Sequence, residues 1–404
     1  MKEKVTEMQP EDFSENKWGQ LVKAAQGHWA FKPNNLPPNT ELTWSLVKAL
    51  SQADRALANL AGTARNLRNP HLLIRPFIRR EAVLSSRIEG TQASLSDLFF
   101  FEAAKARGER PSPSSSDVSE VANYARSLEY GLERLSTLPL SLRLIREIHK
   151  KLLTGVRGQH QTPGEFRLSQ NWIGPPGCTL TEAAYVPPPV PEMEKALDAF
   201  EKFLHEPSDI PPLIWLALVH YQFEAIHPFL DGNGRIGRLL TSLLMCSRGL
   251  LPQPLLYLSA YFEKHRREYY DGLLSVSQRG YWTAWIEFFL RGVAEQAKDV
   301  LLRTERLLNL WQSYREKLST VRSSSLLQRL IDGLFESPVI TIPRAALLLE
   351  ITRAAAALHV KRLLEAGILS EIQGRRHPRL FLAESILNAI ESPIDEPSIP
   401  EKSN

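Results

Sequence analysis

The sequence predicts a mainly α-helical protein, and three observations carry that prediction. Apolar residues recur at three- and four-residue spacing through Leu213, Trp215, Leu216, Leu218, Val219, Phe223 and Ile226, and again through Leu239, Leu240, Leu243 and Leu244; this is the period of buried helices. Helical pattern also covers about 42–60, resumes at Val118 and returns over 142–153. Segments that read as strands are short and fall mostly near the end of the chain, at 339–342, 368–372 and 380–382.

The elements follow in order. Residues 1–40 read as a loosely structured arm that ends in the Pro-rich run 33–39. Its first residues are polar and charged, without an apolar h-region, and nowhere is there an apolar run of membrane length, so the expectation is a cytoplasmic protein with no membrane partner. A helical region spans 41–105. The Pro/Ser-rich stretch within 106–117 reads as a mobile linker. Residues 118–310 form the helical core, 318–390 a separate small domain, and 391–404 a Pro- and charge-rich disordered tail. In the small domain, helices at 326–335 and 344–349 precede a third that Thr352 caps and Gly367 stops, and two strands are joined by a basic turn at 374–379.

Bulk properties bound the function. With 404 residues and 43% hydrophobic content the chain supports two or three domains with real cores. Cys178 and Cys246 are too few and too dispersed for a disulfide framework or a zinc site. A net charge of +4 does not by itself indicate nucleic acid.

The loop between the two most apolar helices is the most informative segment: His227-Pro228-Phe229-Leu230-Asp231-Gly232-Asn233-Gly234-Arg235-Ile236-Gly237-Arg238. Asp231 to Gly234 can leave ordinary φ space cheaply, so successive N–H groups can converge on an anion, and the next helix adds its positive N-terminal end. A nucleotide's phosphates would fit there. Arg235 and Arg238 offer forked donors three residues apart. Asp231 supplies the hard oxygen that a phosphate-bridging Mg2+ takes from protein. His227, held by Pro228, has the pKa range of a base for an attacking hydroxyl, and Phe229 faces the core. Asp-Gly-Asn-Gly alone is more often a simple turn, but helical flanks argue against a hairpin.

At these residues the chain resembles the Fic family, whose signature His-Pro-Phe-x-Asp/Glu-Gly-Asn-Gly-Arg-x-x-Arg is matched at every fixed position. The resemblance implies transfer of AMP from ATP to a Ser, Thr or Tyr hydroxyl of a target protein, with Mg2+. His227 would be the base, Asp231 the metal ligand, and 232–238 (Gly232, Asn233, Gly234, Arg235, Ile236, Gly237, Arg238) the ATP-binding stretch. Gly234 argues against the kinase-like Doc branch, which usually has Lys there.

A second element fits the same family. Ser85-Ser86-Arg87-Ile88-Glu89-Gly90 matches Ser/Thr-x-x-x-Glu-Gly/Asn, by which many Fic proteins inhibit themselves. Ser85 and Glu89 lie four apart, on one helix face, in a helix expected near 80–90. Gly90 suits a left-handed cap, which places Glu89 at a helix C-terminus whose dipole repels an anion; a cationic partner would relieve that conflict. The resemblance implies Arg238.

Further resemblance spans about 35–310. Pro163 to Arg167 and Asn171 to Gly174 look like the family's strand-forming segment, and Tyr185-Val186-Pro187 like the β-hairpin flap that docks the target along an exposed edge. Tyr257, Tyr261 and His265 are candidate adenine contacts, although aromatics at such spacing are more often core. Homodimers are common in the family and are a further expected association.

The 318–390 order resembles a winged helix. Arg353, Lys361, Arg362, Arg375, Arg376 and Arg379 outnumber Glu365 and Glu371, so DNA phosphates could be gripped through 352–380, while Ala354 to Ala357 offer nothing to base edges. The sequence thus predicts a mainly α protein, a Fic-type helical core with a small β-hairpin flap and a C-terminal winged helix, acting as an adenylyltransferase inhibited by Glu89. The alternatives are a DNA-binding regulator with a nucleotide-sensing core, or an enzyme that removes AMP. UTP or GTP in place of ATP also stays open.

Overall fold

The computed structural model describes residues 8–24, 27–66, 70–106, 116–175, 177–319, 325–372 and 379–393. Of the segments singled out above, residues 107–115 of the linker, 374–378 of the basic turn and 394–404 of the tail lie outside the described residues.

Helices dominate. The N-terminal half holds α1 (Trp44–Asn66), α2 (His71–Ile88), α3 (Leu95–Lys105), α4 (Ser116–Arg134), α5 (Leu142–Leu153) and α6 (Val190–His205). Then come α7 (Pro212–Ile226), α8 (Asn233–Ser247), α9 (Ser259–Lys264), α10 (Arg266–Arg279) and the long α11 (Trp282–Ser319). The sequence places several of these ends. Ser141 accepts from Leu144 N at 3.4 Å to cap α5, Ser94 and Asp97 form a reciprocal capping box on α3, and α7 opens on Pro212, where the missing N–H costs nothing.

Every residue from Leu213 to Ile226 is buried, as an all-round apolar helix must be, so α7 is the central rod of the core. It packs against α6, α8, α10 and α11. Helix α2 lies against α4, α8 and α9 on one side. On another it meets the C-terminal segment, where Arg75 pairs with Glu336 at 2.9 Å.

That segment has α12 (Ser325–Glu336), β3 (Val339–Ile340), α13 (Ile342–Leu349), α14 (Arg353–Glu365), β4 (Ser370–Glu371), β5 (Phe381–Leu382) and α15 (Glu384–Glu391). The strands form an antiparallel sheet in the order β3-β5-β4. Thr352 caps α14 by accepting from Ala355 N at 3.3 Å, and Gly367 takes the positive φ that ends it. Thr341 caps α13, so the strand expected to reach 342 stops two residues earlier. Its buried residues, among them Leu330, Leu334 and Ile390, join the apolar core that begins at Leu46.

One expectation is corrected outright. The arm read as loose contains β1 (Gly19–Lys23) paired antiparallel with β2 (Trp29–Pro33), in register from Gly19↔Pro33 to Lys23↔Trp29. Phe31 is fully buried and stacks on Phe13 at 5.2 Å, and its N–H donates to Val186 O at 2.8 Å. Tertiary packing against 183–186, which local pattern does not reveal, orders this polar stretch.

Candidate active site

Helix α7 ends at Ile226 because Pro228 cannot continue it. His227 takes φ +49° and ψ 61°, a left-handed conformation unusual for a residue with a β-carbon. The loop is then pinned from both ends. Asn233 accepts from Phe229 N and donates to Phe229 O, each at 2.8 Å, so its side chain staples the loop rather than facing a ligand. His149 of α5 sits at 2.9 Å from Asp231 O through Nε2 and accepts from Gly164 N through Nδ1, also at 2.9 Å, which fixes the proton on Nε2. Its ring stacks on Phe229, with centroids 3.7 Å apart. Phe229 is fully buried, as expected. With the carbonyls of the loop held by these donors, Gly232 at φ +82° starts α8.

Glu89 meets the first turn of α8. A β-carbon on Gly234 would lie 2.4 Å from Glu89 Oε1 and 3.0 Å from Arg238 Nη1, so only glycine admits the carboxylate here. Arg238 Nη2 donates to Glu89 Oε1 at 2.7 Å and to Ser85 O at 3.0 Å, and its Nε donates to Ser85 Oγ at 2.8 Å. Ser85 and Glu89 therefore share one helix face and one guanidinium, with Gly90 at φ +95° just beyond the helix end. The Arg238 side chain is 1% exposed and that of Glu89 33%. Burial opposes the Arg238 charge, but Glu89, with Tyr269, Tyr270 and Glu224, more than offsets it and the guanidinium pKa lies above its ordinary value. Burial likewise works to raise the Glu89 carboxyl, and Arg238 reverses this to leave its pKa lowered.

His227 Nδ1 lies 3.2 Å from Glu224 O, which favours the Nδ1–H tautomer and leaves Nε2 an acceptor. Burial, reinforced by Arg167, pushes its pKa down to about 4 against the pull of Glu89 and Asp231. The imidazole is accordingly neutral at neutral pH. Asp231 Oδ1 accepts from Gly232 N at 2.6 Å and pairs with Arg235 at 3.3 Å. Its Oδ2 faces Gly158, whose absent β-carbon would stand 2.4 Å away.

Several residues expected to contact nucleotide are engaged within the protein. Arg235 is 2% exposed and its guanidinium is engaged by Glu120 and Asp231, each at 3.3 Å, so it orients Asp231 from beneath. Ile236 is fully buried in the core. Gly237 is small because Glu224 Oε1 would be 2.2 Å from a β-carbon there. The helical period turns both away from the anion end, which an unbroken reading of 232–238 overlooks. Tyr257 donates to Pro254 O at 2.6 Å, Tyr261 packs 2.7 Å from the position of a β-carbon on Gly292, and His265 lines a cavity of about 510 Å3 between α10 and α11 with Trp285 and Phe288. No residue of the motif loop lines that cavity. Tyr185 and Val186 are also buried: Tyr185 Oη donates to Ala225 O at 2.9 Å, and β2 covers Val186. The strand-forming segment makes a single antiparallel bridge, Ile173↔Tyr185, in place of a ladder.

Residues the sequence reading missed complete the site. Glu120 of α4 links Arg235 to Arg157, the latter at 3.3 Å. Glu224 is pushed up to about 7 by burial and leaves Oε1 without a partner. Tyr270 is 39% exposed and close enough to Glu89 that burial and this carboxylate push its phenol up to about 12. For His149 a signal existed: it falls among Ile145, Ile148 and Leu152 on the buried face of its helix.

Comparison with known proteins agrees with this architecture. Residues 47–133 match the family model described as Fic/DOC family N-terminal, and residues 139–245 that described as Fic/DOC family. A protein adenylyltransferase Fic from Drosophila yakuba is 26% identical over 225 residues, covering 52% of this chain and 41% of the relative. One of the same description from Aedes aegypti is 32% identical over 185 residues, or 45% of this chain and 31% of the relative. The chain thus spans well under half the length of these relatives. Among solved structures, a Fic family protein from Desulfovibrio desulfuricans G20 aligns with a TM-score of 0.55 at 17% identity, covering 86% of this chain and 98% of that one, a likeness of fold. The chain belongs to the Fic/DOC family.

Proposed function

We propose that this protein transfers AMP from ATP to a Ser, Thr or Tyr hydroxyl of a target protein, and that Glu89 holds it inactive. One observation carries the reading: a carboxylate from α2 is clamped by Arg238 over the first turn of α8, the place where a neutral His227 and a helix N-terminus would otherwise receive a nucleotide's phosphates. In the transfer, the hydroxyl oxygen bonds to the α-phosphorus while the bond to the β-phosphate oxygen breaks. The hydroxyl proton passes to His227 Nε2, and pyrophosphate leaves. Glu89 on Arg238 denies the γ-phosphate its guanidinium, so that ATP cannot reach the in-line geometry. The exposed face of Tyr270 beside Glu89 is the aromatic surface available to the base.

Asp231 fits a Mg2+ ligand. Its Oδ2 has no hydrogen-bond partner among the described residues, and one carboxylate is the protein share that a phosphate-bound Mg2+ usually takes. Held by Asp231, such an ion would supply positive charge against the negative charge that develops on pyrophosphate. Arg235 and Gly232 N hold the other oxygen in place.

The proposal extends to a winged helix at 318–390, supported by the helix and strand order there, and to a cytoplasmic location, consistent with two unpaired cysteines and with no membrane-crossing helix among the described residues. On α14 the cations Arg353, Lys361 and Arg362 are exposed, but Ala354 and a 63% exposed Leu358 lie among them. This face supports contact with DNA phosphates more than base reading, and salt-sensitive binding would test it.

The deciding experiment compares AMP incorporation from α-labelled ATP with Mg2+ by wild type, Glu89→Gly, and Glu89→Gly with His227→Ala. Labelling is expected in the single variant alone. Absence of labelling in all three, with ATP bound, would reject transfer in favour of AMP removal or nucleotide sensing.

A further inference from the structure

Two side chains between α5 and α6 have no part in the chemistry above. Arg167 is fully buried, yet among the described residues no carboxylate pairs with it. Its guanidinium donates only to main-chain carbonyls: Nε to His227 O at 3.0 Å, Nη1 to Ser169 O at 3.2 Å and Nη2 to Pro188 O. Its own N–H donates to Pro228 O at 2.9 Å. Asn171 converges on the same peptide, with Nδ2 3.1 Å from His227 O and 2.7 Å from Phe229 O.

A buried cation without a counter-ion is costly to keep, and an apolar chain would fill the same space. What the cation does here is hold a strained turn. His227 precedes proline and adopts a left-handed backbone, two conditions that both favour relaxation to an extended φ. Relaxation would turn the His227 carbonyl away from two buried donors, Arg167 Nε and Asn171 Nδ2, and leave the Arg167 Nε–H unpaired. We infer that Arg167 and Asn171 are positioning residues, which grip the His227 carbonyl and so fix the turn that sets its imidazole against Glu224 O with Nε2 free. The consequence for catalysis rests on the AMP-transfer reading; the grip on the ring does not.

The test uses Arg167→Lys, Arg167→Met and Asn171→Leu, each in the wild-type chain and in Glu89→Gly. In Glu89→Gly, kcat for AMP transfer is expected to fall roughly tenfold to a hundredfold in Asn171→Leu and Arg167→Met, since a misplaced reacting group has about that effect. KM for ATP should stay within about threefold, because the phosphate-binding groups are untouched. Arg167→Lys, which keeps the charge and one donor, should recover part of the loss. In the otherwise wild-type chain at neutral pH, ring 15N shifts of His227 should report a proton on Nδ1, and Asn171→Leu should show both tautomers.

An inactive Glu89→Gly parent would remove the transfer reading while leaving the 15N result to judge the grip. Unchanged kcat in an active parent, with an unchanged ring spectrum, would overturn the inference. Parallel loss of kcat, ATP affinity and thermal midpoint, with the His227 tautomer intact, would overturn it too and assign these residues to folding alone.

Discussion

Glu81 gives helix α2 a pH-dependent weakness. It lies two turns before Glu89 on α2, is 2% exposed, and accepts through Oε1 from Tyr124 Oη at 2.9 Å and Ser259 Oγ at 2.6 Å. Oε2 has no partner. Burial pushes its pKa up from 4.5 to about 7, opposed by the two hydroxyl donors and by Arg238. The folded state therefore holds this proton more tightly than the unfolded chain does. The resulting stability is full below the unfolded value of 4.5 and is lost as pH rises through the folded value of about 7. That displacement is worth about 3 kcal/mol. Glu81→Gln keeps the acceptor and replaces the protonated oxygen with a neutral amide. Near pH 5 wild type and variant should unfold at similar temperatures; near pH 8 the variant should be more stable by up to about 3 kcal/mol, or roughly 3–6 °C in Tm for a chain of this size. Differential scanning fluorimetry over that range decides the matter. A difference independent of pH, or one that favours wild type as pH rises, would refute the reasoning.

Other expectations follow from the same contacts. Ser85→Ala removes the acceptor of Arg238 Nε, an interaction with a charged group worth about 1.5–3 kcal/mol, and should raise basal AMP transfer, though less than Glu89→Gly does; an unaltered basal rate would show that Ser85 plays no part in the clamp. Gly158→Ala places a methyl 2.4 Å from Asp231 Oδ2 at φ +84°. In the Glu89→Gly chain it should raise the Mg2+ needed for half-maximal transfer on the order of tenfold. Because the Glu89 pKa is lowered, its stabilising contribution is present above the ordinary carboxylate value of 4.5 and is lost as pH falls below it. The stability difference between wild type and Glu89→Gln should accordingly be constant around neutrality and shrink in acid.

The sequence by itself determined what local rules control. Periodicity marked α7 and α8, with a loop between them that glycines and a proline oblige to turn, and 142–153 matches α5 to the residue. Caps at Thr352 and Gly367 bounded α14. The four-residue spacing of Ser85 and Glu89 placed both on one face, and the partner that the family resemblance implied for Glu89, Arg238, is 149 residues away. Only the tertiary structure decided which protein groups each side chain of the motif meets. Arg235 and Arg238 look alike in the chain, yet one is spent on Glu120 and Asp231 and the other on Glu89 at the end of α2. The groups that hold the loop, His149, Arg167 and Asn171, act through carbonyls 56 to 82 residues off, pairings that no local pattern encodes. For the same reason β1, β2 and Tyr185 escaped: their order comes from one another, across more than 150 residues of chain, and burial is settled only when those distant segments pack.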